Sequence, residues 1–146
     1  MTFFTRKSLI SYGCGIVLTT GLIVILILLT GPFVPYLPGE IQTSIPSFIF
    51  ILLLLTVTPI LVRNFNRQDD LEKILGWTFI GLGVEFIAFP LSLFFIIQSA
   101  ASIGLLMVTV MLVTFSVVFG IPAGLMSIGL GIFLLKNHHH FNPSKG

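Results

Sequence analysis

LEKILGWTFIGLGVEFIAFPLSLFFII, residues 71–97, is a run of 27 residues in which only Glu72, Lys73 and Glu85 carry charge. An α-helix rises about 1.5 Å per residue, so about 20 apolar residues cross a hydrocarbon core of roughly 30 Å. The part after Lys73 is long enough. Asp69, Asp70, Leu71 and Glu72 form an Asp-x-x-Glu capping box ahead of it, which satisfies orphan amides and sets acids against the positive helix end. The three acids read as caps rather than as a site, and the run reads as a membrane-spanning helix.

Working outward, three further runs meet the same length requirement. Leu9–Thr30 has 22 apolar or small residues between Arg6-Lys7 and Gly31-Pro32. That exceeds the roughly 7 to 15 residues of a signal-peptide core, and no small-x-small cleavage site stands near Thr30, so an uncleaved anchor is expected. Ser47–Val62 supplies 16 residues before Arg63, with Ser44 as N-cap and Pro46 in the first turn. Pro59 removes a backbone bond near the end of that run, and a Thr56 or Thr58 hydroxyl or another helix is expected to take up the freed carbonyl. Ile103–Leu135 has 33 residues, about 50 Å as one straight helix. It must bend at Pro122, or else start on the outer surface and span from near Met111. Splitting it at Gly120 and Pro122 would leave no loop between the halves and is rejected. The expectation is an all-α integral membrane protein: one domain, residues 1–146, a four-transmembrane-helix bundle with helices at about 8–30, 45–63, 71–97 and 103–135 and a polar tail at 136–146.

Composition supports the same class. The chain is 55% hydrophobic and 8% charged, with a mean hydropathy of +1.12, whereas soluble domains carry roughly a quarter charged residues. Seven Lys+Arg against five Asp+Glu leave +2, too little and too dispersed for a nucleic-acid partner. The basic residues do set orientation. Arg6 and Lys7, then Arg63, Arg67 and Lys73, then Lys136 and Lys145 all fall on one side if four helices span. By the positive-inside rule both termini are expected in the cytoplasm. Tyr12 and Trp77 suit the inner aromatic belt, and Phe33 and Tyr36 the outer headgroup layer. The outer loop from Gly31 to Pro46 holds four prolines and reads as a stiff connector lying on the membrane, in preference to a docking surface. The other outer connection, Gln98–Ser102, is so short that the third and fourth helices are expected to be antiparallel neighbours. No internal repeat of the secondary-transporter kind is visible.

Glu85 is the one ionisable acid or base inside a span, twelve residues from Lys73 and hence about 18 Å along the helix. An ionised carboxylate near mid-bilayer is costly, so such residues face the bundle interior, a cavity or a partner. Thr78, Gly81, Glu85, Ala88, Ser92 and Ser99 share one register, with Phe95 its one bulky member and mostly Phe, Ile, Leu and Val at the positions between. The fourth run carries Gly120, Gly124, Ser127 and Gly131 at spacings of four, three and four. Close approach over small residues drives helix pairing in lipid, so these two stripes are expected to pack together, with Glu85 facing the fourth helix or a partner. No base of this chain reaches Glu85. A neutral carboxyl there can hydrogen-bond a neighbouring hydroxyl or carbonyl.

GLMSIGLGI, residues 124–132, resembles the glycine-rich helix of rotary ATPase proteolipids, and Arg67-Gln68 followed by a helix with a central Glu85 looks like their polar loop and ion-binding helix. In that family the glycine-rich helix precedes the loop. Here it ends the chain and the second run has no glycine, so the likeness reads as one of membrane packing.

Several chemistries are unsupported by the residues present. No span contains histidine for haem, and no aspartate pair, serine–histidine pair or HExxH is available for intramembrane proteolysis. Cys14 reads as a small buried thiol. His138, His139 and His140 are adjacent, and neighbouring helical residues point about 100 degrees apart, so His138 and His140 are weak metal candidates and a solvated tail is the reading preferred. No cofactor and no enzymatic activity are expected. The partners expected are the lipid bilayer and other membrane subunits, or further copies of the chain. The rival expectation is a small proton or cation transporter or channel using Glu85.

Overall fold

The computed structural model describes residues 3–36, 38–39, 44–68, 70–97 and 103–141. Helix α1 runs Phe3–Thr30 and continues as a 3-10 segment, Gly31–Tyr36. Helix α2 is Ser44–Arg67, α3 is Leu71–Ile97, α4 is Ile103–Phe115 and α5 is Ile121–Phe141, with a π-helical turn at Ser116–Gly120 joining the last two. Four stretches are long and apolar enough to cross a membrane: Lys7–Phe33, Ser47–Arg67, Leu71–Ile97 and Ile103–Asn137. This is the architecture of a multi-pass helical membrane protein.

Three helices overrun their expected ends. Helix α1 begins at Phe3, α2 continues through Arg63 to Arg67, and α5 continues through the expected tail to Phe141. Propagating a formed helix costs little per residue, so a helix leaves the hydrocarbon and stops at the next breaker. At the start of α3, the Ile74 amide donates to the Asp70 carbonyl at 3.4 Å. Asp70 therefore stands at the N-cap position; Asp69 lies outside the described residues. Asp70 also pairs with Lys73 at 3.7 Å.

The fourth span is not one regular α-helix. Pro122 has no amide proton and its ring crowds the carbonyl four residues back, and the wide turn at Ser116–Gly120 absorbs that conflict directly ahead of it. The rings of Phe115 and Phe119 lie 4.6 Å apart alongside the turn. Neither threonine near Pro59 takes up the carbonyl that the proline frees. Thr56 donates to the Leu52 carbonyl at 2.7 Å, and Thr58 donates across to the Thr19 hydroxyl of α1 at 3.0 Å.

Cross-helix contacts fix an up-down-up-down course. Antiparallel α1 and α2 meet through Thr58 and Thr19 at mid-height and through the Lys7 ammonium and the Asn66 carbonyl, 3.5 Å apart, at one end. Helix α3 runs parallel to α1, with Leu18 over Gly81, and antiparallel to α5, with Gly76 beside Gly131. Among the described residues, α2 packs substantially on α1 alone, α1 on α2 and α3, and the fourth span on α3 alone. The bundle is thus an open row, α2 then α1 then α3 then the fourth span, not closed on itself. A small core of Leu18, Phe65 and Ile74, flanked by Cys14, Leu61 and Leu82, ties α1, α2 and α3 together. Leu55, Met107, Met111 and Met126 stand on the outside, where acyl chains rather than water are the solvent.

Candidate functional site

Helix α3 uses opposite sides for its two neighbours. One side meets α5 through glycines: a Cβ on Gly83 would lie 2.5 Å from the Gly124 carbonyl oxygen, and one on Gly131 would lie 2.6 Å from the Gly76 carbonyl oxygen. Both backbones therefore approach to a distance that only glycine permits. The Ser127 hydroxyl donates to the Phe79 carbonyl at 2.7 Å across the same seam, and Gly120 faces the Phe86 carbonyl. Gly120, Gly124, Ser127 and Gly131 thus all point at α3, but they meet Gly76, Phe79, Gly83 and Phe86, not the register of Glu85.

Glu85 is two residues from Gly83, which turns it about 200 degrees around the helix and presents it to α1. The expectation that its stripe packs against the fourth helix is corrected accordingly. Gly81 lies under Leu18 of α1, and a Cβ there would stand 2.7 Å from Leu18 Cδ2. Thr78 is buried with its hydroxyl on the Ile74 carbonyl, and buried Ser92 bonds the Phe89 carbonyl, each at 2.7 Å and within α3. Ala88 is half-buried; Ser99 lies outside the described residues.

Three glycines that carry the geometry were not singled out in the sequence. Gly76 and Gly83 are seven apart, as are Gly124 and Gly131, and in an antiparallel pair equal spacing sets glycine on glycine at two levels. That shared interval was the available signal. Gly21 is the other. A side chain on it would collide with the Glu85 carboxylate, so Gly21 makes the recess in which the acid sits, beside the backbone amide of Leu22.

This recess widens into a groove of about 500 Å³ between α1 and α3, walled by Val17, Ile25, Leu82 and Phe89. Ile16, Val24 and Phe86 on its rims are exposed, so the groove opens to the outside of the fold. Thr20, the other polar side chain in its lining, already donates to the Ile16 carbonyl at 2.8 Å. Glu85, half-buried, is the one ionisable group in the lining. No Lys, Arg or His occurs between residues 8 and 62 or between residues 74 and 135, so no base of the chain stands at this height.

Such an arrangement can accept or donate hydrogen bonds and can pair with a cation brought from outside. No second ionisable group stands in the lining among the described residues. Cys14 is half-buried beside the Leu18 core, away from the acid. Helical backbone extends through His138 and His140, whose side chains lie outside the described ones. Among the described residues no three His, Cys, Asp or Glu gather as a metal site. In comparisons with known proteins, no family model, no curated sequence and no solved structure matches the chain.

Proposed function

We propose that this chain is a non-enzymatic subunit of a larger membrane assembly, with both termini in the cytoplasm, and that Glu85 is where a helix of another subunit docks. The observation that carries the reading is an acid at mid-span in an open apolar groove, with no ionisable neighbour in the lining. A carboxylate left against hydrocarbon bears its desolvation cost unrelieved, whereas a neighbouring helix that brings Lys, Arg, His or a hydroxyl to that depth offsets it. A second copy of this chain brings no base to that depth, which favours a different chain over self-association. The open row also leaves α2 and the fourth span with outer faces free to receive neighbours. Orientation rests on the one-sided distribution of all seven Lys and Arg.

The test is purification of the full chain from its native membrane in mild detergent. A stoichiometric membrane partner is expected, cross-linking to cysteine introduced at Val17 or Phe86 and lost with Glu85→Leu. The purified chain reconstituted alone is expected to pass no ions. Proton or cation flux through it that Glu85→Gln abolishes would instead establish the carrier reading and end this one.

A further inference from the structure

A second recess, of about 650 Å³, lies between α1 and α2 and is lined by groups of two kinds. Ile16, Leu54, Leu55, Pro59 and Val62 make an apolar wall; Arg63, Asn66 and Arg67, with Tyr12 opposite, make a polar mouth at one end. From Leu54 to Arg67 is thirteen residues of helix, about 20 Å. Half of a bilayer with its headgroups measures about the same, so the recess runs from headgroup level to the bilayer midplane. Arg63 and Arg67, four apart, share one face of α2. Neither takes part in an ion pair among the described residues, where Asp70 pairs with Lys73. The Lys7 ammonium, 3.5 Å from the Asn66 carbonyl, stands outside the lining at the same end of α2.

We infer that this recess holds one anionic phospholipid, its phosphate on Arg63 and Arg67 and an acyl chain along Leu55, Pro59 and Val62. The charge at the mouth selects the headgroup. Guanidinium groups bind phosphate oxygens in a bidentate fork that hydrated ammonium groups do not match. The apolar wall selects a lipid over a free phosphate, because a soluble anion leaves it empty. Glu85 is not in its lining and lies in the other groove, on the opposite neighbour of α1, with Ile16 shared between the two.

The experiment uses the full chain reconstituted in phosphatidylcholine vesicles containing a trace of spin-labelled phosphatidylglycerol or spin-labelled phosphatidylcholine. The motionally restricted spectral component measures lipid held by the protein. An about tenfold preference for phosphatidylglycerol is expected from two Arg at the headgroup level. Arg63→Gln with Arg67→Gln is expected to abolish the preference with helicity unchanged. Leu55→Trp, which keeps every charge but fills the apolar wall, is expected to reduce it as strongly. Lys73→Gln, a charge removed from α3 outside the recess, is expected to leave it intact. Equal retention of the two lipids by the unaltered chain overturns the proposal. So does a loss with Lys73→Gln equal to that of the arginine variant, which would indicate diffuse surface charge, or an undiminished preference in Leu55→Trp.

Discussion

Gly83 of α3 and Gly124 of α5 face each other so closely that a methyl group on either would meet the other's carbonyl oxygen, at 2.5 Å from Gly83 and 2.7 Å from Gly124. Backbone, unlike a flexible side chain, cannot yield to such a contact without separating the helices. Gly83→Ala and Gly124→Ala are therefore each expected to destabilise the fold by about 1–3 kcal/mol, the usual range for overpacking. Gly104→Ala and Gly129→Ala, where an added Cβ meets nothing within 4 Å, are expected to be neutral or slightly stabilising because alanine favours the helix. Reversible unfolding in mixed lipid–detergent micelles distinguishes the pairs, and equal effects at all four positions would refute this packing.

The relation between Gly21 and Glu85 calls for a different outcome. Here the atoms that an added methyl would meet belong to the end of a flexible side chain, so the carboxylate can swing away while α1 and α3 stay together. Gly21→Ala is expected to leave stability within about 1 kcal/mol yet to weaken assembly with the proposed partner, and Glu85→Gln is expected to weaken it too. The double variant is expected to lose no more than the worse single one, since both act on one group. Full additivity in stoichiometric pull-down would show that the two residues act separately.

Thr58→Val removes the hydroxyl that joins α2 to Thr19 while keeping its shape. Thr19 retains its own bond to the Gly15 carbonyl at 2.8 Å, so nothing buried is orphaned. The expected loss is about 0.6 kcal/mol, the average for interhelical hydrogen bonds in membranes. The same size of effect is expected for Ser127→Ala, which deletes the bond to Phe79. A loss above about 2 kcal/mol at either site would mean that the hydroxyl supports more than one helix contact.

Orientation is open to direct chemistry. With cysteine introduced singly at Gln42 or Lys145 in a Cys14→Ser background, a membrane-impermeant maleimide added to intact cells is expected to label position 42 and not 145. Labelling at 145 alone would reverse the topology.

Span number and position could be read from residues 9–30, 47–62, 71–97 and 103–135 taken one at a time, because bilayer thickness turns into a local condition: enough apolar residues without charge. The isolation of Glu85 followed in the same way, since every Lys and Arg stands near the end of a span. Helix ends such as Arg67 were less legible, as leaving the hydrocarbon does not by itself stop a helix. Which faces meet was decided by tertiary structure alone. In water an apolar stripe points inward, but in lipid Leu, Ile and Phe are solvated on every side of a helix, and periodicity loses its direction. The register of Thr78, Gly81 and Glu85 therefore marked a packed face without saying which neighbour packs there, and only backbone contact at Gly83 and Gly124 assigned α5 to the opposite side and left Glu85 to α1.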